Sequence, residues 1–322
     1  MKLKLLALLG LSLASLLLWL NESPNQRPAN QKVVAITQIV DHSSLNAARQ
    51  GLQDALTEAG YLENKNLKII TQNPQGNLSV AAQVAKSLNQ QQVDAVVAIS
   101  TTSAQTVLAA NHSHHPIVFS SVTSPIEAQL VNNLAHPGGD ITGTMDLAPQ
   151  DELMALVHEI LPHAKAIGVI YNPGEANSVK GLQMIELSSS LKVIKAPILS
   201  SADITQATNS IIQQVDAIIL PTDNTVWSAL DKLILIAHQH NVPVLTSDPD
   251  SVKKGVLLAL GYSQYDVGYD AGKKLVRILN GEKPGDIPIS VPERTSLYVN
   301  ATSATDLKIK IPEHILLRAQ MI

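Results

Sequence analysis

The chain has 322 residues, 45% of them apolar, 16% charged and 3% aromatic, with a formal net charge of −4 and no cysteine. That is material for about two packed domains with aliphatic cores. The mild charge, with no Lys/Arg block, argues against a nucleic-acid surface. The lack of cysteine excludes disulfides, thiolate metal ligands, a cysteine nucleophile and a lipid-modified cysteine.

Lys2 and Lys4 precede an apolar run at residues 5–20, and a polar, proline-containing stretch follows to Pro28. A positive segment before an apolar one is the pattern of an export signal. No good small-x-small site closes the run, so residues 1–28 read as a cleaved signal peptide or a retained N-terminal anchor, with an ordinary buried helix as the remainder. Residues 33–39 then read as a strand, 45–59 as an amphipathic helix, 67–71 as a short strand and 77–90 as a helix. Next come a buried strand at 93–99, a helix at 103–110, a strand at 117–119 and a short helix at 125–134. An extended piece at 141–144 follows the turn cluster His136-Pro137-Gly138-Gly139-Asp140.

The second half repeats the rhythm. Helices are expected at 149–161, 177–187, 203–214, 225–238 and 264–279, strands at 166–171, 192–198, 216–220, 242–246 and 257–260, and extended pieces at 288–291 and 297–299. Two consecutive β-α-β-α arrays predict an α/β protein of two doubly wound, Rossmann-like lobes. The short join at 145–150 keeps the lobes close, with a cleft between them of the kind small molecules favour.

In open α/β sheets ligands sit beyond the carboxyl ends of the strands. Ser100-Thr101-Thr102-Ser103 follows a buried strand and opens a helix, so its hydroxyls and free N–H groups suit a carboxylate or phosphate; a cap alone needs fewer. Ser120-Ser121-Val122-Thr123-Ser124-Pro125 repeats the pattern one strand later, with Pro125 at the expected first helical position. Tyr171-Asn172-Pro173-Gly174-Glu175-Ala176-Asn177-Ser178 is turn chemistry plus groups able to bond a ligand, and Glu175 is able to pair with an ammonium. In Asp223-Asn224-Thr225 and Thr246-Ser247-Asp248, each Asp is either a helix cap or the partner of a ligand ammonium. Asp41-His42 closes the first strand; a lone His is more often structural, and His42 is kept as a contact candidate. His112-Ser113-His114-His115 precedes a strand, has no carboxylate close in sequence, and reads as a solvated loop rather than a metal site. No Gly-x-Ser-x-Gly, Walker A, His-Glu-x-x-His or Gly-x-Gly-x-x-Gly pattern appears, so the polar groups read as a binding set, with no catalytic residue, cofactor or metal.

Several blocks in one order add a resemblance. They are Ile36-Thr37-Gln38-Ile39-Val40-Asp41-His42, Val118-Phe119-Ser120-Ser121-Val122-Thr123-Ser124-Pro125, Pro137-Gly138-Gly139-Asp140-Ile141-Thr142-Gly143, the block from Tyr171 to Ser178, Pro221-Thr222-Asp223-Asn224-Thr225-Val226, and Thr246-Ser247-Asp248 through Asp250-Ser251-Val252. With them, nearly all of the chain after residue 32 resembles the ABC-transporter substrate-binding proteins of the tryptophan/tyrosine type, which have the type I periplasmic binding-protein fold. The resemblance implies two lobes joined by a hinge of three crossovers. Lobe 1 would hold 32–146 plus about 262–286, and lobe 2 147–261 plus about 287–322. It also implies an exported receptor that closes on an amino acid, notably an aromatic one, and delivers it to an ABC permease in the cytoplasmic membrane. Three positions depart from the family's pattern: Ser124 stands where Asp is expected, Glu127 where a small residue is usual, and Asp140 where Asn is common.

The expected ligand-binding set is therefore His42, Ser100, Thr101, Thr102, Ser121, Val122, Asn172, Glu175, Asn177, Ser178, Asp223, Asn224 and Asp248. Ser100, Thr101, Thr102, Ser121 and Val122 would receive the ligand carboxylate through hydroxyls and backbone N–H groups. Asp223, Asp248 and Glu175 would take its ammonium, with Asn177 and Ser178 completing the shell. Asp223→Ala is then expected to abolish binding and spare the fold. The expected protein is a monomeric periplasmic receptor; a membrane-anchored sensor of the same fold is the alternative.

Overall fold

In the computed structural model, which describes residues 30–322, the apolar runs become the inner strands of two separate sheets. The export segment or anchor expected at residues 1–28 lies outside the described residues. The first sheet contains β1 (Lys32–Gln38), β2 (Leu67–Gln72), β3 (Ala95–Ile99), β4 (Ile117–Val122) and β5 (Ile141–Met145), all parallel, in the order β2-β1-β3-β4-β5. Helices α1 (Ser43–Glu58), α2 (Leu78–Asn89) and α3 (Thr101–Ala110) connect its strands. β3 and β4 are buried at every residue, as parallel strands covered on both faces must be. β1 sends Val33 and Ala35 to one apolar cluster and Val34 and Ile36 to another, the alternation of a strand between two layers.

The second sheet runs β12-β11-β10-β9-β8-β6-β7. Its strands are β6 (Ala166–Tyr171), β7 (Lys192–Pro197), β8 (Ala217–Leu220), β9 (Val244–Thr246), β10 (Leu258–Gly261), β11 (Ser296–Val299) and β12 (Gln320–Met321). Only the β10–β11 pair is antiparallel. Helices α4 (Gln150–Ile160), α5 (Ala176–Ser188), α6 (Ile204–Ile211), α7 (Asn224–Trp227) and α8 (Leu230–Gln239) follow in chain order. After α9 (Gln264–Leu279), α10 (Ala301–Asp306) and α11 (Glu313–Arg318) complete the chain's helices among the described residues.

The chain passes between the two sheets three times, at 146–149, 262–263 and 291–295. α9 leaves the second sheet and lies along α1 of the first lobe, where Ala271, Leu275 and Ile278 join the cluster of Leu45, Leu52 and Leu56. The two helix backbones touch through glycine: a Cβ at Gly51 would collide with the Tyr265 carbonyl, and one at Gly268 with the Ala48 carbonyl. Also on α9, buried Lys274 donates to the Gly143 carbonyl (2.5 Å), Thr144 Oγ1 (3.1 Å) and Ser290 Oγ (2.9 Å), tying two of the passages together from the first-lobe side. Burial without a carboxylate partner lowers its pKa to about 8.

Two expected helices are corrected. Residues 125–134 form turns, because Gln129 adopts a left-handed φ of 58° and ends the run after one turn. The helix expected at 225–238 is broken into α7 and α8. Ser228 Oγ bonds back to the Thr225 carbonyl (2.7 Å), and Ala229 leaves helical geometry.

Candidate ligand-binding cleft

The carboxyl ends of β3 and β4 form the first lobe's wall. Two residues there hold backbone conformations that favour glycine: Ser100 at φ 104° and Ser121 at φ 58°. Ser100 Oγ accepts from Ser103 N (3.1 Å) and so caps α3. Thr101 Oγ1 is buried with no partner, and Thr102 faces the cleft. Ser121 Oγ donates to Gln264 Oε1 (2.6 Å) at the start of α9. His42 caps α1, its Nδ1 accepting from Leu45 N (3.4 Å). Burial lowers its pKa to about 4, so the ring is neutral and Nε2 carries the hydrogen toward Asn224 Oδ1 (3.4 Å) in the other lobe.

The second lobe's wall is a closed hydrogen-bond network. Glu175 accepts through Oε2 from Asn177 Nδ2 (3.1 Å), Asn224 N (3.0 Å) and Asn224 Nδ2 (2.7 Å), and through Oε1 from Thr225 N (2.9 Å) and Thr225 Oγ1 (2.6 Å). Asp223, wholly buried, accepts from Asn172 N (2.6 Å), Ser178 Oγ (2.5 Å) and Val226 N (2.8 Å). Burial and the nearby Glu175 charge push its pKa up to about 7. Asn172 is held by Thr225 Oγ1 (2.9 Å) and Gly174 N (2.8 Å).

Between the walls, near the crossovers, lies a small pocket with Asp146, Asn177, Asn224, Trp227, Asp248 and Gln264 in its lining. Its free space of about 10 Å³ is what one water requires. Asp248 accepts from Ser44 Oγ of the first lobe (2.6 Å), and burial beside Asp250 pushes its pKa up to about 7. Asp146 accepts from Thr123 Oγ1 (2.9 Å) and Gln264 Nε2 (3.2 Å), and burial raises its pKa too. Asn177 Oδ1 is buried there without a partner. Among the described residues, no Lys or Arg lines this pocket. Two carboxylates and an orphaned amide oxygen therefore face a space with no cation. Toward the surface a wider chamber of about 570 Å³ opens, edged by Asp41, Gln75, Thr102, Asn172 and Ser200, with Asn224 shared between the two spaces.

The expected residues thus divide. Asp248, Asn177, Asn224, Ser121 and His42 meet at the inner pocket, and Thr102 at the outer chamber. Asp223 and Ser178 bond each other behind the wall, outside the lining of both spaces. Glu175 has both oxygens filled from its own lobe, and its edge reaches the outer chamber together with Asn172. Ser100 is spent on its own helix. Val122 packs its side chain in the apolar core, and its carbonyl accepts from Asp146 N (3.3 Å). With residues 125–134 turned rather than helical, the block from Ser120 to Pro125 has no helix start to offer an anion. His114 does have a carboxylate partner, Asp140 (2.7 Å), which folding brings from 26 residues away. Sequence reasoning missed Asp146, Ser44, Trp227 and Gln264. Asp146 is the first residue past β5 at its carboxyl end, a signal that was open to use; the other three sit on helices with no local mark.

A two-lobed α/β protein whose lobes meet on a buried polar pocket at a three-passage hinge is a substrate-binding protein by class. A family model described as ABC transporter substrate binding protein matches residues 33–322, and the chain belongs to that family, a binding rather than an enzymatic one. It is 34% identical to a tyrosine-binding protein of Clostridioides difficile (strain R20291) over 87% of this chain and 82% of that one. A Streptococcus pneumonia ABC domain in complex with L-Trp superposes with a TM-score of 0.87 at 31% identity, over 90% of this chain and 99% of that one. A ligand-free, open structure of a Clostridium difficile substrate-binding protein with adhesive properties gives 0.67 at the same identity and coverages. The fold is that of type I periplasmic binding proteins. At equal identity and coverage, this chain superposes better on the L-Trp complex than on the ligand-free, open structure.

Proposed function

We propose that this chain is the periplasmic receptor of an ABC importer, closing on an α-amino acid or a close relative and presenting the closed form to a membrane permease. The observation that carries this reading is the cation deficit of the inner pocket: Asp146, Asp248 and the unpartnered Asn177 Oδ1 face one another without a positive charge. A ligand ammonium supplies that charge, and its pairing with buried carboxylates offsets their desolvation. The ligand carboxylate then lies toward Thr102 and the start of α3, where N–H groups and the helix dipole favour an anion. Asp248 reaches across to Ser44 only when the lobes are together, so a ligand held by Asp248 favours the closed state over the open one. The cleft is complete within one chain, so a monomer suffices. The tyrosine- and L-Trp-binding relatives support the choice of an amino acid.

The test is calorimetric titration of amino acids into wild type and Asp248→Asn. In the variant the amide oxygen still accepts from Asp250 N, the amide nitrogen is able to donate to Ser44 Oγ, and the charge is removed. A charge-assisted hydrogen bond is worth about 1.5–3 kcal/mol, so affinity should fall roughly 10- to 150-fold with little change in melting temperature. Equal affinity in the two proteins would remove the ammonium assignment, and a wild type that binds no amino acid would remove the reading.

A further inference from the structure

We propose that the hinge carries a second ligand site: a pocket walled by all three interlobe passages that takes a small organic ammonium bearing a neutral oxygen acceptor and, once filled, stiffens the hinge. The site is separate from the cleft and does not depend on what the cleft binds.

The pocket holds about 490 Å³, within the roughly 300–1,000 Å³ of small-molecule sites. Pro149 of the first passage, Tyr262 of the second and Glu293 of the third line it, together with the start of α4. None of these residues lines the inner pocket or the outer chamber. Gln150, the first residue of α4, is in the lining and only 5% exposed, yet its Nε2 is buried without a partner. A buried donor with nothing to donate to is costly, and an oxygen brought by a ligand relieves it. Pro149 stands at the cap position of α4 and makes no side-chain cap bond, so the helix's first N–H groups also lack a capping acceptor. Charge supplies the other half of the ligand. Asp151, Glu152 and Glu293 are in the lining, and no Lys or Arg is. Arg318 pairs with Glu152 only at 4.0 Å, with both side chains more than half exposed. Burial and the Glu152 charge raise the pKa of Tyr262, which places that phenol near the carboxylate, and an aromatic ring is itself a partner for a cation. Among the described residues no group of three His, Cys, Asp or Glu side chains is placed to hold a metal ion, so the cation that fits is organic. Its oxygen must be neutral, because a ligand carboxylate would meet three like charges. The three passages absorb the backbone rotation when the lobes part, so the pocket changes shape with that motion. A molecule that bridges them binds one setting of the lobes better than the other and resists the change.

The probe is ethanolamine, titrated calorimetrically into the whole chain beside two controls: n-propylamine, which replaces the hydroxyl by a methyl group, and ethylene glycol, which replaces the ammonium. A ligand this small is expected to bind in roughly the millimolar range. We expect each control to bind at least fivefold more weakly than ethanolamine. The double variant Glu152→Gln/Glu293→Gln, at two exposed positions, should lose at least tenfold in ethanolamine affinity. Gln150→Leu should erase the preference for ethanolamine over propylamine; if it fails to fold, the double variant and the two controls carry the test. Asp248→Asn should leave ethanolamine affinity unchanged. Saturating ethanolamine should also slow amide hydrogen exchange at 146–148, 262–263 and 293–295 at least threefold. No ethanolamine binding overturns the proposal. So does binding that Asp248→Asn removes and the double variant keeps, since the probe then sits in the cleft. Propylamine binding as tightly as ethanolamine overturns the ligand class, and unchanged exchange at the passages overturns the stiffening.

Discussion

Asp223 and Asp248 share a residue type, deep burial and pKa values near 7, yet they have different neighbours. Asp223 is surrounded by donors of its own lobe, so Asp223→Ala strands the N–H groups of Asn172 and Val226 and the Ser178 hydroxyl. We expect that variant to lose about 3 kcal/mol or more of stability in urea unfolding, where the sequence had suggested a lost ligand and an intact fold. Asp248 lines the pocket while accepting from Ser44 Oγ and Asp250 N, and in the function proposed above a proton and a ligand ammonium compete for it. Its raised pKa means the empty closed form is protonated below about pH 7 and ionised above. Affinity should therefore weaken by up to about tenfold per pH unit as pH falls below 7, and level off above it. Titration between pH 5 and 8 checks this, and Asp248→Asn should flatten the profile. At this scale the polar residues past the strand ends were legible as a group. Which of them bond within their own lobe and which line the pocket was not, since an Asp before Asn-Thr suits a cap and an ammonium equally well. Only the donors that folding places around each carboxylate decide between them.

The helix pair α1–α9 shows what an element contributes beyond its own periodicity. Gly51 and Gly268 let the two backbones meet, and any side chain at Gly268 must push against the Ala48 carbonyl. We expect Gly268→Val to cost at least about 1–3 kcal/mol in urea unfolding, with loss of hydrogen-exchange protection concentrated in α1 and α9. The buried strands were legible because each is a continuous apolar run with polar punctuation. The false helix at 125–134 arose because Ile126, Leu130, Val131 and Leu134 are spaced like a helix face. Leu130 and Val131 are indeed buried, but from turns. The pattern recorded which residues go inside and misreported the backbone that takes them there. The short α10, α11 and β12 left no such pattern, because their burial depends on the lobe they dock to.

Across the whole molecule the closed state is held by contacts from one lobe to the other, and one of them is a charged latch at the rim. Glu127, where the family resemblance led us to expect a small residue, pairs with Lys180 of α5 at 2.6 Å. Both groups are partly exposed, so the pair should be modest in strength and sensitive to salt. Glu127→Gln should weaken ligand binding by roughly 2- to 5-fold in dilute buffer, and the difference should vanish near 1 M salt, where the Debye length is about 3 Å. Two lobes and the cleft between them were legible from the repeated β-α rhythm; the three passages came only with the resemblance, because nothing local announces that a helix has changed lobes. That interleaving also governs how the chain can be made. The apolar face that α9 covers is formed by strands completed at Met145, while α9 begins at Gln264. At ribosomal speeds of about 5–20 residues per second, roughly 6 to 24 seconds separate the two events. The first lobe cannot finish folding while the second is being synthesised, and for that interval the nascent chain carries an uncovered apolar sheet that a chaperone can hold.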